Sequence, residues 1–437
     1  MIEILHISLS VILFPLLFSY PLNIFNYKIL FASIKFKFFD LILLNIIIHL
    51  IVLLFLSFFI KDFFIIFFID ILLSLIFVFY YFKNYFLFFK KNLYLFIFYS
   101  ILSFSLFVSI AYYPLLSWDG AVHWVYKALN YYQGESYENL KNVPMEYYPH
   151  LGGFMWFYFW KNSILQLEYF GRFFFSFLFL ITIFSLFDYL SERFKLSEKI
   201  FLILIFSYLC KDNFLFGGYQ EYFVFFIFYV FSRFFLLRKN SKNNTDKNIL
   251  SFFLLSTSFL IMWTKQEGFF YFFIINTVYL LHSDSPLRLK IFYFLVCTLL
   301  ISIFVLTKIY YFGQLNFNED ILRKELLSSF YPIIIMQKFL IISKYVIISF
   351  IKYPIWIIIF ASFLILYKKN FFIKNRFYLT YIFFIFSLLY LIYFQTKTNI
   401  EVLLPLTLSR LIFQCSGFLL PITVECINRL KNQRQSN

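Results

Sequence analysis

Three side chains able to do chemistry are spaced four residues apart in one polar stretch of a very apolar chain. Asp119, His123 and Lys127 lie within Trp118–Ala128 and supply a carboxylate, an imidazole and an ammonium group. Residues four apart share one face of an α-helix, so we expect a helix over 117–132 that carries them in a row above the bilayer. A second face is apolar and predicts that this helix lies flat on a membrane surface. The apolar face comprises Trp118, Val122, Val125, Leu129 and Tyr132.

A carboxylate at the mouth of a membrane domain has the chemistry of a general base. A positioned general base typically contributes roughly 10²–10⁴-fold to a rate. The same position also suits an N-cap that satisfies backbone N–H groups, and both roles stay open. For His123 and Lys127 the alternative is a solvated face of an interfacial helix.

The loop after this helix contains Tyr148 and His150, two further polar groups. Glu146 and His150 are side chains of the kind that bind metals. However, two ligands on either side of Pro149 are fewer than the three or four that protein zinc sites use. The pattern therefore establishes no cofactor, and it leaves open whether a divalent metal ion is bound.

Two acidic residues, Glu221 and Glu267, begin later apolar segments. Each has a simple role available, since an acid at a helix N-terminus interacts favourably with the helix dipole. Lys265 and Arg410 are the cations of the same surface nearest to membrane depth. They either anchor a span by snorkelling or hold a phosphate.

The elements that must position these residues are apolar helices. The chain has 437 residues, is 62% hydrophobic and has a mean hydropathy of +0.82. Many runs are long enough to cross the ~30 Å hydrocarbon core, so we predict an all-α polytopic membrane protein with about 12–13 transmembrane helices. The piece 151–160 is too short to span and is expected to be re-entrant or interfacial. The predicted spans are 2–23, 38–60, 63–82, 92–116, 166–190, 200–216, 219–237, 249–264, 267–281, 291–311, 336–360, 378–394 and 411–427.

Basic residues fall in alternate loops, which predicts the orientation of the chain. By the positive-inside rule these loops are cytoplasmic, and the large loop 117–165 lies on the outer face of the cell inner membrane. The net charge of +16 is dispersed over short loops, so no nucleic-acid partner is expected. The cysteines have no metal or redox spacing and are interpreted as buried apolar residues. They are Cys210, Cys297, Cys415 and Cys426.

A series of short motifs, taken in order, resembles bacterial GT-C-type glycosyltransferases, polytopic relatives of the protein mannosyltransferases and of the aminoarabinose transferases of lipid A. Each motif is short and degenerate, so the specificity lies in the series, which covers roughly 92–427. Residues 1–91 form further N-terminal helices outside it, and 428–437 form a cytoplasmic tail. The motifs are Trp118-Asp119-(x4)-Trp124-(x2)-Lys127-Ala128, Tyr148-Pro149, Gly171-Arg172, Gly218-Tyr219-Gln220-Glu221, Lys265-Gln266-Glu267-Gly268 and Ser409-Arg410-Leu411.

The resemblance implies a GT-C-like catalytic domain that takes a sugar from a polyprenyl-phosphate donor among membrane lipids. The acceptor hydroxyl would belong to a lipid, a glycan or a protein, and direct displacement would invert the anomeric centre. Asp119 matches the acid of the first large outer loop, and Glu221 stands where the family leads us to expect a second acid, as Asp. Substrate-binding roles are then expected for His123, Lys127, Tyr148, His150, Lys265, Glu267 and Arg410.

Two other classes of membrane protein compete with this interpretation. A transporter or flippase of lipid-linked sugars would place ionisable groups within its spans, for which Asp70 and Asp188 are the candidates. An O-antigen polymerase or ligase would also use polyprenyl-linked sugars, but with its large outer loop late in the chain. A structural scaffold would need no polar helix at 119–132.

Overall fold

The part of the chain described by the structure, a computed structural model, is helical and contains no strand, so the predicted all-α fold is confirmed there. Span 2–23, most of 63–82, Asp70 and Cys210 lie outside the described residues. The described residues are 36–59, 62, 64–69, 72, 93–113, 115–163, 166–190, 194–209, 216–313, 332–367, 371–395 and 400–434.

The described residues form sixteen α-helices. They also form one π-helical turn, Gly120–Trp124, and two 3₁₀ turns, Tyr137–Asn142 and Gly417–Leu419. The helices are α1 Phe38–Phe59, α2 Leu93–Tyr112, α3 Val125–Tyr132, α4 Leu151–Asn162, α5 Tyr169–Asp188, α6 Leu196–Leu209, α7 Glu221–Asn240, α8 Asn244–Met262, α9 Gly268–His282, α10 Leu287–Phe312, α11 Pro332–Lys352, α12 Ile355–Tyr367, α13 Phe371–Lys374, α14 Phe377–Gln395, α15 Ile400–Ser416 and α16 Leu420–Arg434.

Several of these helices are long and apolar enough to cross a membrane, as expected for a multi-pass membrane protein. Among the described residues there are six, or seven if the bent pair α11 and α12 is one span. The six are Phe39–Phe59, Leu93–Tyr112, Tyr169–Asp188, Leu287–Phe312, Phe377–Phe394 and Ile400–Gln433.

The predicted span 336–360 is not one straight helix. Its two halves, Met336–Lys352 and Ile355–Tyr367, meet at 95° across Pro354. Proline lacks the N–H that would continue the helical ladder, and its ring clashes with the preceding turn. The prediction was therefore wrong here because it counted apolar residues and passed over the proline.

The last predicted span, 411–427, also differs from the structure. Helix α15 begins at Ile400 and ends at Ser416, before the 3₁₀ turn that leads into α16. As a result Arg410 lies inside a helix rather than before one, and its side chain is held by a rigid element.

Helix α7 is the centre of the bundle. Its residues Glu221–Phe235 are all buried, and it packs against α5, α8 and α15. A helix that is apolar on every face is expected to be surrounded by others, which explains the unbroken aromatic run of this segment. The short helix α4 is also enclosed: its first nine residues are buried, and it packs on α3 and α5.

The end of the bundle opposite Glu221 is closed by a buried ion pair between α1 and α7. Arg233 Nε donates to Asp40 Oδ1 at 3.1 Å, and the Tyr189 hydroxyl also donates to Asp40. Asp188 accepts a hydrogen bond from the Phe39 backbone N–H at 3.3 Å. The cysteines of the described part, Cys297, Cys415 and Cys426, are buried, as predicted.

Removing one member of the Asp40–Arg233 pair should destabilise the bundle more than removing both. Arg233→Met leaves a buried carboxylate without its cation, a loss of about 3–5 kcal/mol. Asp40→Asn combined with Arg233→Met removes both charges and should recover most of that stability. Thermal unfolding of the two variants in detergent checks the order. Equal loss in both would show that the pair is not coupled.

Candidate active site

Asp119 is positioned by two loops whose backbones are in direct contact. The Ser117 N–H donates to the Gly217 carbonyl at 3.0 Å, and a Cβ at Gly120 would lie 2.3 Å from the same carbonyl oxygen. Only glycine permits that approach. Gly218 adopts a φ of +80°, a left-handed conformation that glycine takes at little cost. The turn before α7 therefore lies directly beside Asp119.

Arg410 joins two acids that are far apart in sequence. Its Nη2 donates to Asp119 Oδ2, 291 residues away, and its Nε donates to Glu221 Oε1 at 2.7 Å. Lys265 Nζ donates to the same Glu221 oxygen at 3.0 Å and lies 4.0 Å from Glu267 Oε1. The structure thus brings together five residues that the sequence analysis selected from four separate segments.

Burial separates the two acids expected to be catalytic. The Glu221 side chain is fully enclosed, whereas 16% of the Asp119 side chain and 12% of the Arg410 side chain stay exposed. Burial opposes charge on Lys265, but the Glu221 and Glu267 carboxylates outweigh it and raise the pKa of its ammonium group. Of these two acids, Asp119 is therefore the one that a substrate can reach, and Glu221 is the one that holds both cations.

The cluster carries more acid than base. Three carboxylates, Asp119, Glu221 and Glu267, face two cations, Lys265 and Arg410, which leaves one formal negative charge. An anion entering the cluster must therefore displace a carboxylate from a cation instead of finding an unpaired cation.

Aromatic rings stand next to the charges, and we call Trp118, His123 and Tyr148 the aromatic wall. The imidazole of His123 stacks on Tyr148 at 5.2 Å and meets Trp118 edge-on at 5.1 Å. Burial lowers the pKa of His123 despite the opposing effect of Asp119, so the imidazole is neutral at neutral pH. The Arg410 guanidinium lies over the Tyr219 ring at 4.2 Å.

Of the predicted row, Asp119 keeps some exposure, whereas His123 and Lys127 do not face water. The π-helical turn directs His123 into the protein and helix α3 does the same for Lys127, which is 0% exposed. Its ammonium donates to the carbonyls of Met145 and Glu146 at 2.9 and 3.5 Å. His123 and Lys127 are buried because the loop after α3 folds back over the polar face. Helical periodicity does not predict the position of that loop.

His150 is also away from the charge cluster. It is completely buried, and its Nε2 lies 2.7 Å from the Ser57 hydroxyl of α1. Burial lowers the pKa of His150 well below its ordinary value, so the ring is neutral. Among the described residues, no group of three or more His, Cys, Asp or Glu is arranged to hold a metal ion, and Glu146 and His150 form no such group.

Two glutamine side chains beside the cluster have amide groups without a hydrogen-bond partner in the described part of the chain. Gln220 and Gln414 are fully buried, and neither amide makes a hydrogen bond to the described part of the chain. Gln220 directly precedes Glu221 and packs on Gly152, and Gln414 lies one helical turn beyond Arg410. Buried amides are normally hydrogen-bonded, so these groups are suited to bind water or the hydroxyls of a ligand.

Arg172 positions the site, although from the sequence it was named only within the motif Gly171-Arg172 and was given no role in the site. Its Nη1 donates to the carbonyls of Tyr113 and Phe216, both at 3.0 Å, and its Nη2 pairs with Glu168 at 2.9 Å. Those carbonyls lie in the two loops that deliver Asp119 and Gly217. An arginine within the predicted span 166–190 was the available signal, because charges inside spans are rare and paired.

Comparison with protein-family models, with curated proteins and with solved structures finds no match for this chain.

Replacing Arg172 by lysine should loosen both loops. A lysine ammonium lacks the planar fork that reaches two carbonyls and a carboxylate together. The loss of charged hydrogen bonds costs about 1.5–3 kcal/mol for each bond that is not remade. Thermal unfolding of Arg172→Lys measures the loss, and Lys195→Arg, at an exposed residue, is the control.

Lys127 should make stability depend on pH. Burial lowers its pKa to about 7 from an ordinary value of 10.5, against the effect of Glu146. Between those values the unfolded chain binds the proton and the folded chain releases it, so this group makes stability rise with pH. The increase in Tm between about pH 7 and about pH 10 should be smaller in Lys127→Met than in the unaltered protein. An identical slope in both would contradict this assignment.

Proposed function

We propose that this protein is a membrane glycosyltransferase of the GT-C type. It moves a sugar from a polyprenyl-phosphate donor to a hydroxyl of a lipid, glycan or protein acceptor on the extracytoplasmic face of the cell inner membrane. The observation that carries the proposal is the convergence of Asp119, Glu221, Lys265, Glu267 and Arg410 at one end of the bundle. The motifs of the resemblance that supply them lie in four separate segments of the sequence.

Asp119 is the general base in this mechanism. Of the two acids in contact with Arg410 it is the one that keeps exposure, and Arg410 orients its carboxylate. Glu221, enclosed and bonded to both cations, holds Arg410 and Lys265 in place. This division of roles explains why two acids are needed although a single proton is transferred.

The donor phosphate is the leaving group, and it needs cations more than an acid. Arg410 and Lys265 are the groups that hold it. As the phosphate binds, it competes with Asp119 for Arg410, which releases the carboxylate to accept a proton. The acceptor oxygen then bonds to the anomeric carbon, and the carbon–oxygen bond to phosphate breaks with its electron pair leaving on the phosphate. The hydroxyl proton passes to Asp119, and the anomeric centre is inverted.

Sugar hydroxyls need hydrogen-bonding groups beside the reacting carbon. The buried amides of Gln220 and Gln414 have unused donors and acceptors next to Glu221 and Arg410. Tyr148 and His123 supply flat rings at the same place. These groups match a polar ligand with apolar ring faces, which is the character of a pyranose.

A transporter or flippase of lipid-linked sugars is the alternative from another class. Asp188, one of its two candidate residues, lies at the end of α5 and is hydrogen-bonded to the Phe39 backbone. Asp70 lies outside the described residues. Uptake of a labelled lipid-linked sugar by reconstituted vesicles, without product formation, would favour transport.

Transfer from polyprenyl-phosphate sugars in reconstituted vesicles tests the proposed enzyme. Asp119→Asn keeps the size of the side chain but removes the base, so we expect kcat to fall by roughly 10²–10⁴-fold. Glu138→Gln, at an exposed acid of the same loop, is the control and should keep full activity.

Full transfer by a folded and inserted Asp119→Asn variant would contradict the role given to Asp119. Transfer lost equally in Glu138→Gln would point to a general defect of the loop.

A further inference from the structure

Two buried lysines from different helices reach the same turn. Lys127 of α3 donates to the carbonyls of Met145 and Glu146 at 2.9 and 3.5 Å. Lys308 of α10 donates to the next two carbonyls, those of Tyr147 and Tyr148, at 3.2 and 3.5 Å. Four successive carbonyls, in what we call the 145–148 turn, thus point at two ammonium groups.

The backbone of the turn adopts an unfavourable conformation at one residue. Met145 has a φ of +53°, in the left-handed region that residues with a side chain rarely adopt. Lys127 bonds to the carbonyl of this same residue at 2.9 Å. Such a conformation persists only where its surroundings enforce it, and the lysine contact acts there together with the Tyr148 N–H, which donates to the same carbonyl at 3.0 Å.

Burying a lysine side chain costs free energy, so the burial of both lysines argues against an incidental role. Lys127 is 0% exposed and Lys308 is 4% exposed, and Lys308 lies within an apolar helix long enough to span a membrane. A lysine near the end of such a helix would ordinarily extend its ammonium to water. Lys308 instead directs its ammonium inward to the turn.

The turn leads directly to the aromatic wall. Tyr148, whose carbonyl accepts from Lys308, stacks on His123 at 5.2 Å and meets Trp124 edge-on at 5.7 Å. His123 lies one helical turn after Asp119, so a shift of the turn would move the ring surface beside the cluster.

We propose that Lys127 and Lys308 are positioning residues that clamp the 145–148 turn and so hold Tyr148 against His123 beside Asp119. Their importance for catalysis rests on the proposed glycosyl transfer, whereas the clamp itself does not. Neither lysine touches substrate in this role, and Lys127 acts through the turn instead of binding a ligand.

Hydrogen–deuterium exchange over residues 140–150 tests the clamp without an activity assay. Lys308→Met keeps most of the length of the side chain, suits an apolar helix and removes the donor, so exchange in this segment should accelerate by about tenfold. Lys308→Arg, which keeps a charged donor, should restore slow exchange. Lys338→Met, which removes a helix lysine that donates to the Phe394 carbonyl, is the matched control and should leave the segment unchanged.

The transfer assay then tests positioning. A displaced aromatic wall weakens substrate binding, so Lys308→Met should raise KM by about tenfold and change kcat by less than about threefold, with rescue by Lys308→Arg. Unchanged exchange in Lys308→Met would overturn the clamp. Faster exchange with unchanged KM would overturn its link to the site. If the unaltered protein transfers no sugar, the proposed function loses its support and the exchange result still decides the clamp.

Discussion

The architecture of the candidate site depends on one guanidinium. Arg410 bonds to Asp119 and Glu221, and Glu221 also holds Lys265, so four segments of the chain meet through it. Buried charges are stable only when they are paired and hydrogen-bonded, and therefore each segment can bring its charge into the protein only if the others are present. Helix α7 provides the fixed point, because Glu221 begins it and its residues are all buried as far as Phe235.

Close backbone contacts surround this charge cluster. The Gly120 backbone lies against the Gly217 carbonyl, and Arg172 ties the loops on either side of that contact. The first contact depends on the absence of a Cβ, and the second depends on the planar fork of arginine. Both keep Asp119 at the edge of the cluster, where it stays partly exposed while Glu221 is enclosed.

Hydrophobic periodicity predicted where the helices lie better than it predicted which residues they contact. The apolar runs gave most described helices to within a few residues, whereas 336–360 failed at Pro354. The four-residue spacing correctly put His123 and Lys127 on one helical face, but the structure turns that face inward. Periodicity reports which residues share a face, and the packing of the following loop determines what covers it.

Composition and hydropathy were enough to predict a helical chain that is apolar enough to cross a membrane several times, because hydropathy and run length are local properties. The sequence also selected Asp119, Glu221, Lys265, Glu267 and Arg410. The tertiary structure alone decided that these five meet, that Glu221 is enclosed while Asp119 is reachable, and that Lys127 supports a turn. Those outcomes depend on contacts between residues up to 291 positions apart, and no local pattern encodes such contacts.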